Sequence, residues 1–482
     1  MKSVILLPLL LLAGCTLFQN HPQDLTYRAT HYVPPSLPQY RHTLDNGIVV
    51  FVVEDDKLPL FDIQAIIRTG GLMESEQQAG LSVLTADLLA TGGTETLPAD
   101  TLDDRIDFHA ASLSSNADGV SARVSLSIIS TKLDTGLALF TEVMTRPAFE
   151  SKRIDLSKTR MIEGIHQRFD HPKSALSIAY NLALYGKGRL SVLNTETGIN
   201  IITRNDIETF YHRYYRPENV ILAVSGRFKT EAILTKLNVT LGQWKKSGTP
   251  EDTFPAIPNQ YHKRLYFIEK EINQAYIRLG LPALKRPHPD YYPLALMNYI
   301  LGGAPFTSRI SKHIREEEGL AYSAGSFLNC PYFYTGYFGI SLETKSASAA
   351  YAIGLAVKEI EHFIKKGATD QELADAKKSL IDAFPAIFRS GSDIADAFAM
   401  NHYLKRSDVH FDVYRDSLNA ITLEDIARVA RQYLVPESLS YCMVGKWADC
   451  EKGDGIHPVN LSGFGVFERM SEQELERRCT EK

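Results

Sequence analysis

DIETFYHRYYRPENVILAVSGRF (206–228) and DIARVARQYLVPESLSYCMVGKW (425–447) align without a gap, and this likeness decides how the chain is built. Asp206-Ile207 falls on Asp425-Ile426, Tyr214 on Tyr433, Pro217-Glu218 on Pro436-Glu437 and Gly226 on Gly445. An aromatic residue, Phe228 or Trp447, closes each copy, and Ile202-Thr203 upstream matches Ile421-Thr422. The physics of the unit is the same in both. Thr and Asp open a helix by offering oxygens to unpaired backbone amides. Proline stops the helix, and an apolar run closed by glycine forms a strand. The offset of 219 residues is too long for a solenoid period and fits a duplicated domain. A weaker match, AFESKRIDLSKTRMIEGI (148–165) with ATDQELADAKKSLIDAF (368–384), sits at nearly the same offset, and both segments read as amphipathic helices. The expected fold is α+β: two tandem homologous lobes of about 200 residues, each an antiparallel sheet packed with helices.

Working outward, HTLDNGIVVFVVEDD (42–56) carries an Asn46-Gly47 turn before a β-rich run, a hairpin signal that starts the first lobe. KKSGTPEDTFPAIPNQ (245–260) is rich in proline and polar residues and reads as a linker. The lobes are therefore expected at 41–244 and 261–448, with a C-terminal tail at 449–482. Residues 16–40, with Pro22, Pro34, Pro35 and Pro38, read as a flexible tether. Basic and acidic side chains number 52 and 57 without a Lys/Arg run, so no nucleic-acid partner is expected.

MKSVILLPLLLLAGC (1–15) reads as an export signal: Lys2, an apolar stretch, then small residues before Cys15. The 12-residue stretch Ser3 to Gly14 is too short to span a bilayer. Leu12-Ala13-Gly14-Cys15 resembles a bacterial lipobox, which implies lipidation of Cys15; the alternative is an ordinary signal peptide with a chance cysteine. Thr16 after it resembles an outer-membrane sorting signal, placing the protein in the cell envelope facing the periplasm. Cys330, Cys442, Cys450 and Cys479 remain. An exported protein can form disulfides, and a Cys450–Cys479 bridge would staple the tail, whereas Cys442 reads as a buried thiol. No C-x-x-C spacing marks a cysteine metal site.

Two lobes each ending in helix–Tyr–Pro–Glu–strand–Gly resemble the short two-lobed branch of the insulinase/pitrilysin metallopeptidases. TLDNGIVVFVVEDDKLPL, Gly70-Gly71 and Ala79-Gly80-Leu81 resemble the family's first lobe, and INQAYIRLGLP (272–282) with REEEGLAY (315–322) its second. The resemblance implies a metallopeptidase-like clam. Active members carry His-x-x-Glu-His on the helix after that Gly-Leu, where two histidines grip zinc and the glutamate activates its water. The five positions here are Val83, Leu84, Thr85, Ala86 and Asp87, so neither histidine nor base is present. The third ligand aligns with Gly164, leaving Glu163 a solvated carboxylate. No two histidines stand four residues apart; His166 and His171 are five apart, and His109 reads as packed at an element end. Leu81, Leu84, Leu88 and Leu89 form a core stripe, and Gly92-Gly93-Thr94 ends their helix. The chain is expected to bind no metal and to be inactive alone.

In the family the zinc-free lobe contributes an arginine and a tyrosine that hold the peptide, and these positions match Arg315 and Tyr322. Gly319 between them can take the left-handed turn that ends a helix, placing Arg315 in its last turn and Tyr322 at the next strand. The alternative is structural: Arg315 complementing a helix end and Tyr322 packing its ring. Gly302-Gly303 and Ser308-Arg309 are expected to shape the same turn, and Arg68 to be structural or to line the chamber. The resemblance implies the zinc-free, substrate-binding subunit of a two-chain periplasmic peptidase, its zinc carried by a homologous partner, as in the mitochondrial processing peptidase. The rival expectation is a non-catalytic scaffold or peptide-binding lipoprotein.

Overall fold

The computed structural model describes residues 32–481; the signal-like segment and Cys15 lie outside the described residues. The first half contains β1 (Arg41–Thr43), β2 (Val49–Glu54), β3 (Leu60–Ile67), α1 (Leu81–Thr91), α2 (Ala99–Phe108), β4 (Ser112–Ala117) and β5 (Ala122–Ile129). It continues through α3 (Leu133–Thr145), α4 (Ser151–His166), α5 (Pro172–Tyr185), α6 (Glu196–Ile201), α7 (Arg204–Tyr214), β6 (Val220–Gly226) and α8 (Thr230–Val239). The second half runs β7 (Leu265–Glu269), β8 (Gln274–Pro282), α9 (Tyr291–Asn298), β9 (Ala321–Asn329), β10 (Tyr337–Lys345), α10 (Ala349–Lys366) and α11 (Asp370–Ala383). It closes with α12 (Gly391–Tyr403), α13 (Tyr414–Asn419), α14 (Leu423–Tyr433), β11 (Ser440–Gly445), α15 (Trp447–Lys452), β12 (Glu468–Met470) and α16 (Glu472–Thr480). No helix among the described residues is long and apolar enough to cross a membrane.

The duplication is visible in three dimensions. The sheets have orders β1-β2-β6-β3-β5-β4 and β12-β7-β11-β8-β10-β9, the same path through five equivalent strands, while the edge strands differ: β1 is antiparallel to β2 and β12 parallel to β7. They are mixed rather than wholly antiparallel, because β2 runs parallel to β6 and β7 parallel to both β11 and β12. The repeated helix start is a capping box in both copies. Thr203 and Asp206 exchange hydrogen bonds at the head of α7, and Thr422 and Asp425 do so at the head of α14.

Each sheet is covered on both faces, one by its own lobe and the other by the opposite lobe. Helices α1, α3, α7 and α8 pack one core onto β2, β3, β5 and β6. Helix α12, from the second half, brings Ala395, Phe398, Ala399 and Tyr403 onto Phe51, Val53, Ile66 and Ile221 of the other face. Reciprocally, α5 from the first half lays Ala175, Leu176, Ala179 and Tyr180 over Tyr266, Ile268, Cys442 and Val444 of the second sheet. This exchange explains the two apolar runs of the repeat: β6 and β11 are buried along their whole length because both of their faces are covered.

Three expectations need correction. Residues 37–40 of the expected tether form a 3-10 turn, with Leu37 buried and Tyr40 stacked on Phe398. The tail is woven into the fold: β12 extends the second sheet and α16 packs on α5. Cys450 and Cys479 are free buried thiols in two different cores, so no bridge joins them. Cys442 is a fully buried thiol of β11, as its apolar run implied. Arg68 is structural. Its guanidinium donates to Tyr403 O (2.6 Å), stacks on the Tyr403 ring at 4.4 Å and pairs with Glu251 of the linker, joining the two halves.

Candidate functional site

Helix α1 carries the positions where zinc ligands would stand. Its apolar stripe, Leu81, Leu84, Leu88 and Leu89, is buried as its spacing implied, and the helix ends at Gly92. Its start is held by a device the sequence reading missed. The buried Glu74 carboxylate accepts from Gly80 N (2.8 Å) and Ser82 N (2.6 Å), placing an anion at the positive end of the helix. Burial raises the Glu74 pKa, and the hydrogen bonds from Ser82 and Gly80 only partly oppose it.

Val83 is half-exposed and Ala86 wholly buried, and neither has a donor atom. Asp87 is engaged: its Oδ2 accepts from the Ser157 hydroxyl of α4 at 2.5 Å. Gly164 lies two turns further along α4, exposed and without a side chain. These residues do not fit a zinc ion. Among the described residues no group of three or more His, Cys, Asp or Glu side chains could hold a metal. His109 caps the end of α2 with its ring against Phe108, and His166 faces Glu196 on the surface.

The second lobe has kept more. Arg315 lies in a π-helical segment, Ser311–Glu317, and Gly319 follows it with φ +61°. Leu320 N–H donates back to Ile314 O (3.1 Å), closing the widened turn as the left-handed glycine allows. Strand β9 then begins, and its register against β10 slips. Glu343 faces Ser323 whereas Thr344 faces Ala321, so Tyr322 is the extra residue of a β-bulge. Bulges re-aim side chains beside functional sites. Here the bulge turns Tyr322 out, 86% exposed, into the pocket that Arg315 also lines. The sequence reading placed the two residues side by side but had no signal for the π-helix or the bulge.

That pocket has a volume of about 370 Å³ and is lined by Phe306, Ser311, Ser323, Ser326 and Phe327 besides this pair. Among the described residues neither the Arg315 guanidinium nor the Tyr322 hydroxyl has a hydrogen-bond or ion-pair partner in the protein. Arg309, six residues earlier, is the opposite case. It grips Glu372 through two nitrogens (2.7 Å each), donates to Gly367 O and lies over the Phe363 ring. Burial raises the Glu372 carboxyl, but hydrogen bonds from Arg309 and Thr369 outweigh it and hold it at about 2. Arg309 therefore anchors the segment to α10 and α11, whereas the Arg315 donors are unpaired among the described residues. A guanidinium and a phenol sharing a pocket can hold a peptide carbonyl or a carboxylate.

Two homologous lobes, one with a zinc-motif helix stripped of ligands and one with an open Arg–Tyr pocket, define a peptidase-like protein. Residues 50–189 match the family described as Insulinase (Peptidase family M16), and residues 202–380 match its Peptidase M16 inactive domain. The chain belongs to the insulinase family, as a member lacking the zinc motif. A Helicobacter pylori protein called non-peptidase homolog YmxG is 26% identical over 344 residues, covering 70% of this chain and 78% of its own. The crystal structure of a peptidase M16 inactive domain from Pseudomonas fluorescens superposes with a TM-score of 0.76 at 23% identity, covering 84% of this chain and 97% of that one. The periplasmic protease PqqL of Escherichia coli superposes with a TM-score of 0.71 at 16% identity, over 92% of this chain but only 51% of the longer protein.

Proposed function

We propose that this chain is the zinc-free, substrate-binding subunit of a two-chain peptidase anchored in the cell envelope and facing the periplasm. A homologous partner supplies the zinc, its ligands and the base. This chain supplies half of the chamber wall and the Arg315–Tyr322 pocket, where guanidinium and phenol hold the peptide backbone. One contrast carries the reading: at the zinc positions the first lobe has no histidine and its one carboxylate, Asp87, is taken by Ser157, whereas among the described residues Arg315 and Tyr322 have no hydrogen-bond or ion-pair partner. A merely structural arginine would be ion-paired, as Arg309 is with Glu372. The length relation supports it too, since the chain matches about half of a solved protease, leaving room for a second pair of lobes. The lipobox-like Leu12-Ala13-Gly14-Cys15 supports the anchor.

The test is direct binding of fluorescent, unstructured peptides to the purified chain. Arg315→Ala and Tyr322→Phe should each weaken binding, Arg315→Ala by about tenfold, the loss of one charge-assisted hydrogen bond. Unchanged affinity in both variants would remove the pocket from the account. The second reading, a non-catalytic scaffold, is favoured by the name of the Helicobacter pylori relative. It requires that the double variant still assemble and function in the cell.

A further inference from the structure

Phe306 contributes an aromatic ring to the lining of the pocket. Phe306 is 61% exposed. The Arg315 guanidinium carbon lies 5.0 Å from the centre of that ring, the geometry of a cation–π contact. Among the described residues no hydrogen bond or ion pair holds this guanidinium. Glu316, Glu317 and Glu318 follow it but do not line the pocket, and Glu318 is turned toward Tyr351.

The loop that carries Phe306 is itself stitched to the segment that carries Arg315. The Ser308 hydroxyl donates to Ala304 O (2.6 Å) and the Ser311 hydroxyl to Pro305 O (2.9 Å), both serines being 1% exposed. On its other side the loop is pressed against β9: a Cβ on Gly302 would lie 2.4 Å from Ser326 N. Ring and guanidinium are thus carried on one braced unit, with π-helical turns at Tyr299–Gly303 and Ser311–Glu317 on either side. π-Turns recur at functional sites.

We propose that Phe306 is a positioning residue. Its face holds the Arg315 guanidinium flat against the pocket wall, so that the N–H edge is presented to the peptide oxygen without a competing carboxylate. A carboxylate partner would fix the guanidinium equally well but would occupy the donors that the peptide needs. An aromatic face fixes it and leaves them open. The inference rests on the peptide-binding reading of the pocket.

Peptide affinity of the full chain tests it, measured for Phe306→Leu and Phe306→Trp in the native and Arg315→Ala backgrounds. Leucine keeps apolar bulk and loses the π face. Phe306→Leu should weaken binding about two- to fivefold, the range of an exposed cation–π contact. Phe306→Trp should retain native affinity, and Phe306→Leu should have no further effect once Arg315 is alanine. Melting curves of both variants should match the native chain, because the ring is mostly exposed. Equal weakening by Phe306→Leu in both backgrounds would overturn the proposal, making the ring a direct peptide contact. Native affinity in Phe306→Leu, with Arg315→Ala still impaired, would overturn it and leave the peptide-binding reading intact. No effect of Arg315→Ala would defeat that reading itself.

Discussion

Arg309 and Arg315 lie on the same short segment yet have opposite fates, and charge pairing decides which is structural. Arg309 is held by Glu372, whose carboxyl stays ionised down to about pH 2. The sign follows from linkage. A carboxylate with a depressed folded pKa adds stability above its unfolded value, near 4.5, and loses it as the pH falls toward 2. Glu372→Gln should therefore lower the melting temperature at pH 7, and the gap to the native chain should shrink between pH 4.5 and the acid limit. A gap independent of pH would mean that the ion pair contributes nothing. The pair is mostly buried, with side chains 17% and 30% exposed, and bidentate, so its effect should exceed that of an exposed surface pair. Arg315 should behave differently: Arg315→Ala changes ligand binding and leaves melting unaltered, which parallel calorimetry and peptide titration would check.

At the scale of elements, the heads of α7 and α14 allow a paired prediction. Thr203→Ala and Thr422→Ala each remove one capping box and should each cost about 1 kcal/mol in urea unfolding. Equal effects at both sites would reflect the duplication in energy as well as in geometry; no effect at either would contradict the capping assignment. These boxes were legible in the sequence because capping is local chemistry, with a hydroxyl and a carboxylate three residues apart. The buried leucines of α1 and its glycine end were legible for the same reason. The exchange of α5 and α12 was not. A helix with an apolar stripe reads the same whichever sheet it covers, and nothing in KSALSIAYNLALY or SDIADAFAMNHY says that the sheet belongs to the other lobe. Strand β12 escaped notice because three residues, Glu468–Met470, carry no readable alternation. In the pocket, the residue types at Arg315 and Tyr322 were visible, and so was the Gly319 turn. The bulge depends on pairing with β10 more than ten residues away, and the contact of Phe306 with Arg315 depends on how the 304–311 segment folds back on itself.

For the whole molecule, the helix exchange has a mechanical consequence. Each sheet needs a helix from the opposite half to bury one face, so neither half is a complete domain. A protease site inserted after Asn259, in an exposed stretch of the linker, should yield a cleaved chain whose halves co-elute in native buffer and separate only in denaturant. Separation in native buffer would contradict the interlocked core. A molecule with an open Arg315–Tyr322 pocket and no histidine at the zinc positions is expected to work through a partner. The measurement that meets this expectation most directly is peptide hydrolysis by the complex captured on tagged protein from detergent-solubilised envelopes, with and without a zinc chelator, for native and Arg315→Ala chains. The account predicts chelator-sensitive cleavage that the purified chain lacks, lost in the Arg315→Ala complex although the partner is still present. Cleavage by the purified chain carrying stoichiometric zinc would contradict it, and so would an intact complex that cleaves nothing across a broad peptide library.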